Sequence, residues 1–434
     1  MRWPVPLLFA LLPGWCAAAE NRTAALLSSL PACPRSCLGD AISSSVCDSS
    51  NATCICTEEK LLPGAAFCIS EGCSVREYLT SINGTNTYCG APVRDKTQLF
   101  VDVTIVLGVI SALFVLLRIG SKVFLTKSDF GLDDLFILLT LLVGFPSTAM
   151  NIHGTAGHGE GKDIWTLEFD DITTFSFYFY LLEVFYFAQV SLLKMSLLFF
   201  YLRIFLGPAQ KLLWGTVILN AVYGVVFVFL AAFQCTPVDF FWKGWDGEYK
   251  GRCLNTNAIG WANAAVSVAI DLWMLAIPLY ELRKLKLHWK KKIGICLMFI
   301  VGTFVTVVSI IRLQYIVDLG SSHNPTYDQT DISIWSTVEI NIGIICACLP
   351  ALRILLVRVF PVFGGSTHDS RFQGYGDTSG RKSKIRNRSH ALVELPSREE
   401  SVTVPDHGIE MKRTFNIQYS DGDETSLVGP RGMS

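Results

Sequence analysis

The chain has 434 residues, of which 51% are hydrophobic, and its formal net charge at pH 7 is −1. This composition is typical of a multi-pass membrane protein with attached soluble segments. The near-zero charge gives no sign of a nucleic-acid partner, because domains that bind nucleic acids are usually basic.

The first residues have the features of a secretory signal peptide. Arg2 precedes an apolar run over residues 4–15, and three alanines at residues 17–19 offer small side chains for a cleavage site. The run is too short to span a bilayer comfortably, so we expect residues 1–19 to be removed. The alternative, an uncleaved anchor, would add an eighth span.

Eight of the fourteen cysteines follow soon after this segment. They are Cys33, Cys37, Cys47, Cys54, Cys56, Cys68, Cys73 and Cys89. Such density in a short extracellular segment predicts a disulfide framework, which stabilises a module too small to bury a large apolar core. The spacing leaves the pairing open. A zinc site at Cys54 and Cys56 is a weaker alternative, because the module contains no histidine.

The order of these cysteines, with Pro31 two residues before the first and a central Cys-x-Cys pair, closely resembles the fungal CFEM domain over residues 25–92. The resemblance implies a small helical domain with four disulfides. Some CFEM proteins bind haem through an aspartate three residues before the central pair, and here that position holds Asn51. An amide is a poorer ligand for ferric iron than a carboxylate. Haem binding is therefore a minority hypothesis, and we expect no metal or other cofactor.

Three glycosylation sequons lie in the segment expected outside the cell, at Asn21, Asn51 and Asn83. A fourth sequon, at Asn387, lies in the tail. Such motifs also occur by chance, so they support an extracellular N-terminal segment only weakly.

Seven apolar segments, each long enough to cross a bilayer, lie between Leu99 and Leu356. We place them at 99–118, 132–152, 175–200, 212–234, 258–281, 293–316 and 332–356. Lys and Arg are concentrated in the first, third and fifth connections, which is typical of cytoplasmic loops. The sequence therefore predicts an all-α seven-transmembrane bundle over 97–360 in the plasma membrane, with an extracellular N-terminus. Residues 361–434 have the polar, mixed-charge composition of a disordered tail, which lies in the cytoplasm.

Charged residues within the spans are expected to face the bundle interior and to have partners. They are Asp133, Asp134, Glu183, Lys194, Asp271, Arg312 and Glu339. Glu183 and Lys194 share one helix face but lie about 16 Å apart, so each needs a partner from another helix. Cys235 and Cys253 share the loop after the fourth span and predict a further disulfide.

Depth along the spans divides these charges into two groups. We expect Glu183, Arg312 and Glu339 to form an outer cluster. Lys194 lies deeper, and we expect it to join the Asp133–Asp134 pair in an inner cluster. The two aspartates also suit the positive end of a helix dipole, which is a simpler explanation for their position.

Four segments of the bundle resemble the fungal rhodopsin-like integral membrane family. They are Gly131-Leu132-Asp133-Asp134, Lys194-Met195-Ser196, Cys235-Thr236-Pro237 and Ile345-Cys346-Ala347-Cys348-Leu349-Pro350-Ala351. Members with an N-terminal CFEM domain are described as G-protein-coupled receptors linked to surface sensing and pathogenicity. The resemblance implies a cell-surface receptor for an unidentified extracellular ligand, with a heterotrimeric G protein as a possible partner.

Other functions are less well supported by the sequence. The main alternative is haem or iron acquisition or transport, with the CFEM domain as the capture module. A retinal protein is excluded, because residues 332–356 contain no lysine for a Schiff base. We do not expect an enzyme, because the chain has no nucleophile and base motif, phosphate loop or zinc-protease signature.

Overall fold

The computed structural model describes residues 22–126, 129–205, 207–284, 289–320, 322 and 324–359. The predicted signal peptide, the sequon at Asn21 and the predicted tail over 361–434 lie outside these residues. Helices dominate the described part of the chain, and two short strands are the extended elements within it.

Five helices form the N-terminal domain, which spans residues 22–90. They are α1 (22–29), α2 (Ala32–Ser44), α3 (Ala52–Thr57), α4 (Leu61–Gly72) and α5 (Val75–Cys89). Leu30, Leu38 and Ile55 are almost completely buried between them. Four disulfides reinforce this small core: Cys33 with Cys73, Cys37 with Cys68, Cys47 with Cys54, and Cys56 with Cys89.

The last helix of this domain, α5, has clear start and stop signals. At its start, the Ser74 side chain accepts a hydrogen bond from the main chain of Glu77, and the Glu77 carboxylate accepts one from the main chain of Ser74. It ends at Gly90, whose φ of 63° lies in the left-handed region that glycine adopts without a steric penalty. These caps fix the helix that carries the contact with the bundle described below.

Six helices among the described residues are long and apolar enough to cross a membrane. They are Thr97–Phe124, Leu132–His158, Phe169–Ile204, Pro208–Ala232, Thr256–Glu281 and Pro325–Pro350. They correspond to α6 (Thr97–Gly120), α7 (Leu132–Ala149), α8 (Phe169–Ile204), α9 (Pro208–Ala232), α11 (Thr256–Lys284) and α13 (Pro325–Val359), with short π and 3₁₀ extensions after α6 and α7. A further helix, α12 (Trp289–Leu319), has a shorter described apolar segment, Gly302–Val317. A membrane crossing by α12 stays a prediction.

These seven long helices form a ring in which sequence neighbours pack together, and α13 closes the ring against α6. The helix α8 also contacts α13 across the ring. Large apolar side chains on the outer faces, such as Leu116, Leu142 and Val225, are exposed. Exposed apolar faces on helices that satisfy their own backbone hydrogen bonds are those that a lipid bilayer solvates.

A short hairpin lies at the end of the bundle that adjoins the N-terminal domain. The strands β1 (Cys235–Thr236) and β2 (Arg252–Cys253) pair antiparallel, and a disulfide joins Cys235 to Cys253. The four-residue helix α10 (Phe240–Lys243) lies between the strands in sequence and packs against α8. The hairpin therefore holds the loop after α9 over the N-terminal end of α8.

Candidate functional site

A cavity of about 520 Å³ lies inside the bundle, in the half that adjoins the N-terminal domain. Side chains from α6, α7, α8, α11, α12 and α13 surround it. Its polar lining includes Glu183, Gln189 and Arg312, and aromatic rings supply part of its apolar lining. The volume suits a small organic ligand, since ligand sites are commonly about 300–1,000 Å³.

Arg312 on α12 and Glu339 on α13 form a buried ion pair at this cavity. Arg312 Nε lies 3.0 Å from Glu339 Oε2, and each side chain is almost completely buried. Tyr186 on α8 donates a hydrogen bond to Glu339 Oε2 at 2.5 Å, and its ring lies 4.7 Å from the guanidinium carbon of Arg312. Together with Tyr186, the ion pair therefore joins three helices, α8, α12 and α13. Nη2 of Arg312 is buried and has no hydrogen-bond partner among the described residues.

Glu183, the third residue expected in the outer cluster, lines the same cavity but has a different partner. Its Oε2 accepts a hydrogen bond from Gln234 Nε2 at 2.7 Å. Gln234 lies just after α9 and is almost completely buried. No Lys, Arg or His in the described part of the chain forms an ion pair with Glu183. Its carboxylate is thus held by a neutral amide alone.

Lys194 does not join Asp133 and Asp134, so that part of the predicted inner cluster is wrong. Lys194 Nζ lies 2.9 Å from Asp271 Oδ1 on α11 and donates to the main-chain oxygen of Ser267 at 2.7 Å. The depth of Lys194 in the membrane was predicted to be close to that of the aspartates. Depth does not show which neighbouring helix the Lys194 side chain faces. Ser196, about 200° further around α8, is the residue that faces α7, where it donates to the main-chain oxygen of Asp133 at 2.7 Å.

Ser309 connects the two buried ion pairs. Its Oγ lies 2.5 Å from Glu339 Oε1 and 3.4 Å from Asp271 Oδ2. The network therefore runs from Arg312, in the cavity wall, through Ser309 to Lys194 deeper in the bundle. Ser309 and Tyr186 are neutral. The clusters were predicted from charged residues in the spans, so neither residue was included.

Asp133 and Asp134 pair with Arg118 and Lys122 at the opposite end of the bundle. Arg118 Nε lies 2.9 Å from Asp134 Oδ1, and the same guanidinium contacts Asp133 and the main-chain oxygen of Ala347. Lys122 Nζ lies 2.5 Å from Asp134 Oδ2. This cluster joins α6, α7 and α13. From the sequence, the charges of Arg118 and Lys122 predicted only the orientation of the bundle in the membrane. Their pairing with the aspartates was not predicted.

The N-terminal domain contacts the bundle through Arg76 on α5. Its Nη2 lies 2.8 Å from Asp246 in the loop after α9, and its guanidinium lies over the rings of Phe169 and Trp245 at 5.1 and 5.5 Å. Trp245 donates in turn to the hydroxyl of Thr173 on α8 at 2.9 Å. Burial acts to raise the pKa of Asp246, but the hydrogen bond from Arg76 holds it below its ordinary value.

The linker between α5 and α6 is also attached to the bundle. Arg94 pairs with Asp163 at 2.5 Å, and Lys96 pairs with Asp331 at 3.0 Å. Both cations lie over the ring of Tyr327, at 4.2 and 4.3 Å from its centroid. The N-terminal domain is therefore anchored to the bundle at two places, α5 and this linker.

Glu160, in the loop after α7, is a buried carboxylate that was not predicted from the sequence. Its side chain is almost completely buried, and Oε1 has no hydrogen-bond partner among the described residues. Burial raises the pKa of Glu160 to about 7, although hydrogen bonds with Ser333 and Thr155 act to lower it. A carboxyl group in this position can change its charge near neutral pH.

The residues at the CFEM haem position do not fit an axial ligand. Asn51 is the N-cap of α3, and its Oδ1 accepts a hydrogen bond from the main-chain nitrogen of Cys54 at 3.1 Å. Among the described residues, one group has ligand atoms close enough for a metal: Cys33, Cys73 and Glu77. Its two cysteines form a disulfide, so they offer no thiolate. Asn51 and Asn83 are both exposed, and their glycosylation stays a prediction.

Comparison with known proteins agrees with this architecture. Residues 26–90 match the CFEM domain, and residues 117–358 match the fungal rhodopsin domain. No solved structure matches the chain.

Several fungal proteins are similar to this chain. A SAT4 family membrane protein of Emericella nidulans is 30% identical over 230 residues, which cover 52% of this chain and 58% of the relative. Fugralins biosynthesis cluster protein 2 of Gibberella zeae is 25% identical, and the match covers 58% of this chain and 64% of the relative. The chain thus spans less than two thirds of the length of these two relatives.

A longer match is found with Receptor GIN3 of Arthrobotrys oligospora, which is 25% identical over 334 residues, covering 76% of this chain and 78% of the relative. The fungal rhodopsin domain accounts for more than half of the chain. It includes most of the residues of the cavity, the network that runs through Ser309, and the cluster around Arg118. The chain therefore belongs to the fungal rhodopsin domain family of membrane proteins and carries a CFEM domain at its N-terminal end.

Proposed function

We propose that this chain is a cell-surface receptor of the plasma membrane that senses an external cue and signals to the cytoplasm. Seven helices, α6 to α9 and α11 to α13, cross the bilayer, so that the CFEM domain is extracellular and the C-terminus is cytoplasmic. The observation that supports this function best is the cavity. It has a buried ion pair in its wall and lies in the half of the bundle that adjoins the CFEM domain.

A ligand in this cavity can signal only by binding one conformation of the bundle more tightly than another. Arg312 lines the cavity, and its partner Glu339 is connected through Ser309 to Asp271. A ligand that contacts Arg312 therefore acts on the ion pair that holds α12 to α13. A rearrangement of these helices would reach the opposite end of the bundle, where Arg118 joins α6 to α7. A heterotrimeric G protein is the partner that we expect there.

The name of one relative, Receptor GIN3, supports a receptor function. Haem or iron capture has less support, because Asn51 replaces the expected aspartate and its side chain caps a helix. We infer that the chain is a receptor without a cofactor, and we assign no catalytic role to its buried charges.

The function can be tested in cells with and without the chain. The cells are exposed to surface cues and small ligands, and cyclic AMP and calcium are measured. We expect a response that depends on the chain and that Arg312→Gln combined with Glu339→Gln abolishes in cells with a matched surface level, since the double change leaves no buried charge unpaired. Arg252→Gln, at an exposed arginine on β2, is the matched control and should respond normally. If the surface-expressed chain gives no response to any cue, the receptor proposal is wrong.

A further inference from the structure

We propose that the cavity binds a small organic cation, an amine or quaternary ammonium group on an apolar body, and that Glu183 is its counter-ion. This inference names the ligand class of the receptor function proposed above and rests on that function. Three observations support it: the lack of an ion-pair partner for Glu183 among the described residues, the aromatic side chains that line the cavity, and the pairing of Arg312 with Glu339.

The ion pairs among the described residues leave Glu183 without a partner of opposite charge there. Arg312 is paired with Glu339, and Lys194 is paired with Asp271. Glu183 has a single neutral donor, Gln234. A carboxylate at membrane depth is costly unless a cation or a proton neutralises it. Because Glu183 lines the cavity, a bound cation can supply the missing charge.

Three aromatic side chains line the same cavity as Glu183. Phe179 and Phe187 lie about one helical turn before and after it on α8, and Phe241 comes from α10. All three line the cavity, and the ring centroids of Phe179 and Phe241 are 6.2 Å apart. The faces of aromatic rings attract organic cations, especially where water is excluded. A carboxylate and several aromatic side chains in the wall of one cavity are the groups that recognise an ammonium group.

An anionic ligand fits the same cavity poorly. Arg312 already has Glu339 at 3.0 Å, so a bound carboxylate would place a second negative charge beside a single guanidinium. The spare Nη2 of Arg312 instead suits a neutral acceptor, such as a hydroxyl or carbonyl oxygen on the ligand. We therefore expect the cation to lie at Glu183 and the remainder of the ligand to extend along the apolar lining.

The test uses the purified full chain in lipid nanodiscs and four probes that share one phenylethyl body. They are phenethylamine, its trimethylammonium analogue, phenethyl alcohol and 3-phenylpropionate. Binding is measured as the concentration-dependent rise in the thermal unfolding midpoint, because a ligand that binds only the folded state stabilises it. We expect both cations to give a saturable rise and the alcohol and the carboxylate to give none. Equal binding of the alcohol, or preferential binding of the carboxylate, would overturn the proposal.

Glu183→Gln keeps the shape of the side chain and removes its charge. We expect it to fold, since it removes a charge that has no ion-pair partner among the described residues, and to weaken binding of both cations by about 30-fold or more. Glu168→Gln, at an exposed glutamate just before α8, is the matched control and should bind them normally. If Glu183→Gln fails to fold, Phe241→Leu supplies the second test, and we expect weaker binding of the trimethylammonium probe. Unchanged binding in Glu183→Gln would contradict the role of Glu183, and unchanged binding in Phe241→Leu would contradict the aromatic part of the site.

The outcome separates the ligand class from the receptor function. Cation binding without any cellular response would leave the ligand class standing and count against the receptor. A cellular response to another cue, without cation binding to the purified chain, would support the receptor function and count against the ligand class.

Discussion

The side chains of Lys194 and Asp271 lie 2.9 Å apart and join α8 to α11 within the bundle. Both are largely buried, and Lys194 also donates to the hydroxyl and the main-chain oxygen of Ser267. A buried ion pair is often no more stabilising than apolar residues of the same size, but removal of one partner is costly. The pair therefore makes a prediction about stability that differs between single and double substitutions.

Lys194→Met leaves Asp271 buried without its cation. We expect it to lower the free energy of unfolding by about 3–5 kcal/mol, measured by thermal unfolding of the purified chain. Replacement of both residues, Lys194→Met with Asp271→Leu, should cost less than the single change, because no charge is left unpaired. Lys243→Met breaks the exposed pair of Lys243 with Asp239 and should have no measurable effect. A double variant less stable than Lys194→Met would contradict this explanation.

Helix positions and residue depth could be predicted from the sequence, but the direction of each side chain around its helix could not. Apolar length located six helices that are long enough to cross a membrane, and depth brought Arg312 and Glu339 to the same level. The partner of Lys194 depended on which face of α8 it occupies, and residues two positions apart on that helix contact different neighbours.

Partners that carry no charge, or that come from distant parts of the chain, left no signal in a single sequence. Ser309 links the ion pairs although serine is common in helices of any kind. The burial of Glu160 arises when the loop after α7 packs against α6 and α13, so its composition did not reveal it. The pairing of Cys33 with Cys73 and of Cys37 with Cys68 likewise depends on how α2 and α4 pack together.

Arg118 holds two carboxylates at the end of the bundle opposite the CFEM domain. Arg118→Met should lower the free energy of unfolding by about 3–5 kcal/mol, because Asp133 and Asp134 then share a single buried cation, Lys122. Surface expression and thermal unfolding measure this loss. Arg203→Met is the control, since Arg203 is half exposed and 3.8 Å from Asp133. Addition of Asp133→Asn to Arg118→Met should recover part of the loss, and a further decrease would contradict the role of charge.

Glu160 makes stability depend on pH. In the folded protein it keeps its proton up to about pH 7, whereas in the unfolded chain it loses the proton near its ordinary pKa of about 4.3. Between these values the folded state binds the extra proton, so stability falls as the pH rises. Glu160→Gln should therefore raise the free energy of unfolding by roughly 1–3 kcal/mol at pH 8 and have little effect near pH 4. Glu168→Gln should show no such difference, and an equal effect of Glu160→Gln at both pH values would contradict titration.

The contact of Arg76 with Asp246 should make the position of the CFEM domain sensitive to acid. Because the pKa of Asp246 is lowered in the folded protein, the contact is at full strength above the ordinary aspartate pKa of about 3.9. It is lost as the pH falls through the lowered value. Fluorescence energy transfer between a label on the domain and one on α8 would report the loss. Arg76→Gln should give the weakened contact at every pH, and a variant that keeps the acid transition of the original chain would rule out this pair as its cause.

The number of crossings decides whether the two ends of the chain lie on the same side of the membrane or on opposite sides. With α12 in the bilayer there are seven crossings, so a tag placed after residue 19 and a tag at the C-terminus lie on opposite sides. With α12 outside it there are six, and both tags lie on the same side. We expect antibodies to stain the first tag on intact cells and the second only after permeabilisation, since the lysine-rich connection before α12 favours the cytoplasm. Staining of both tags on intact cells would exclude seven crossings and would place the C-terminus outside the cell.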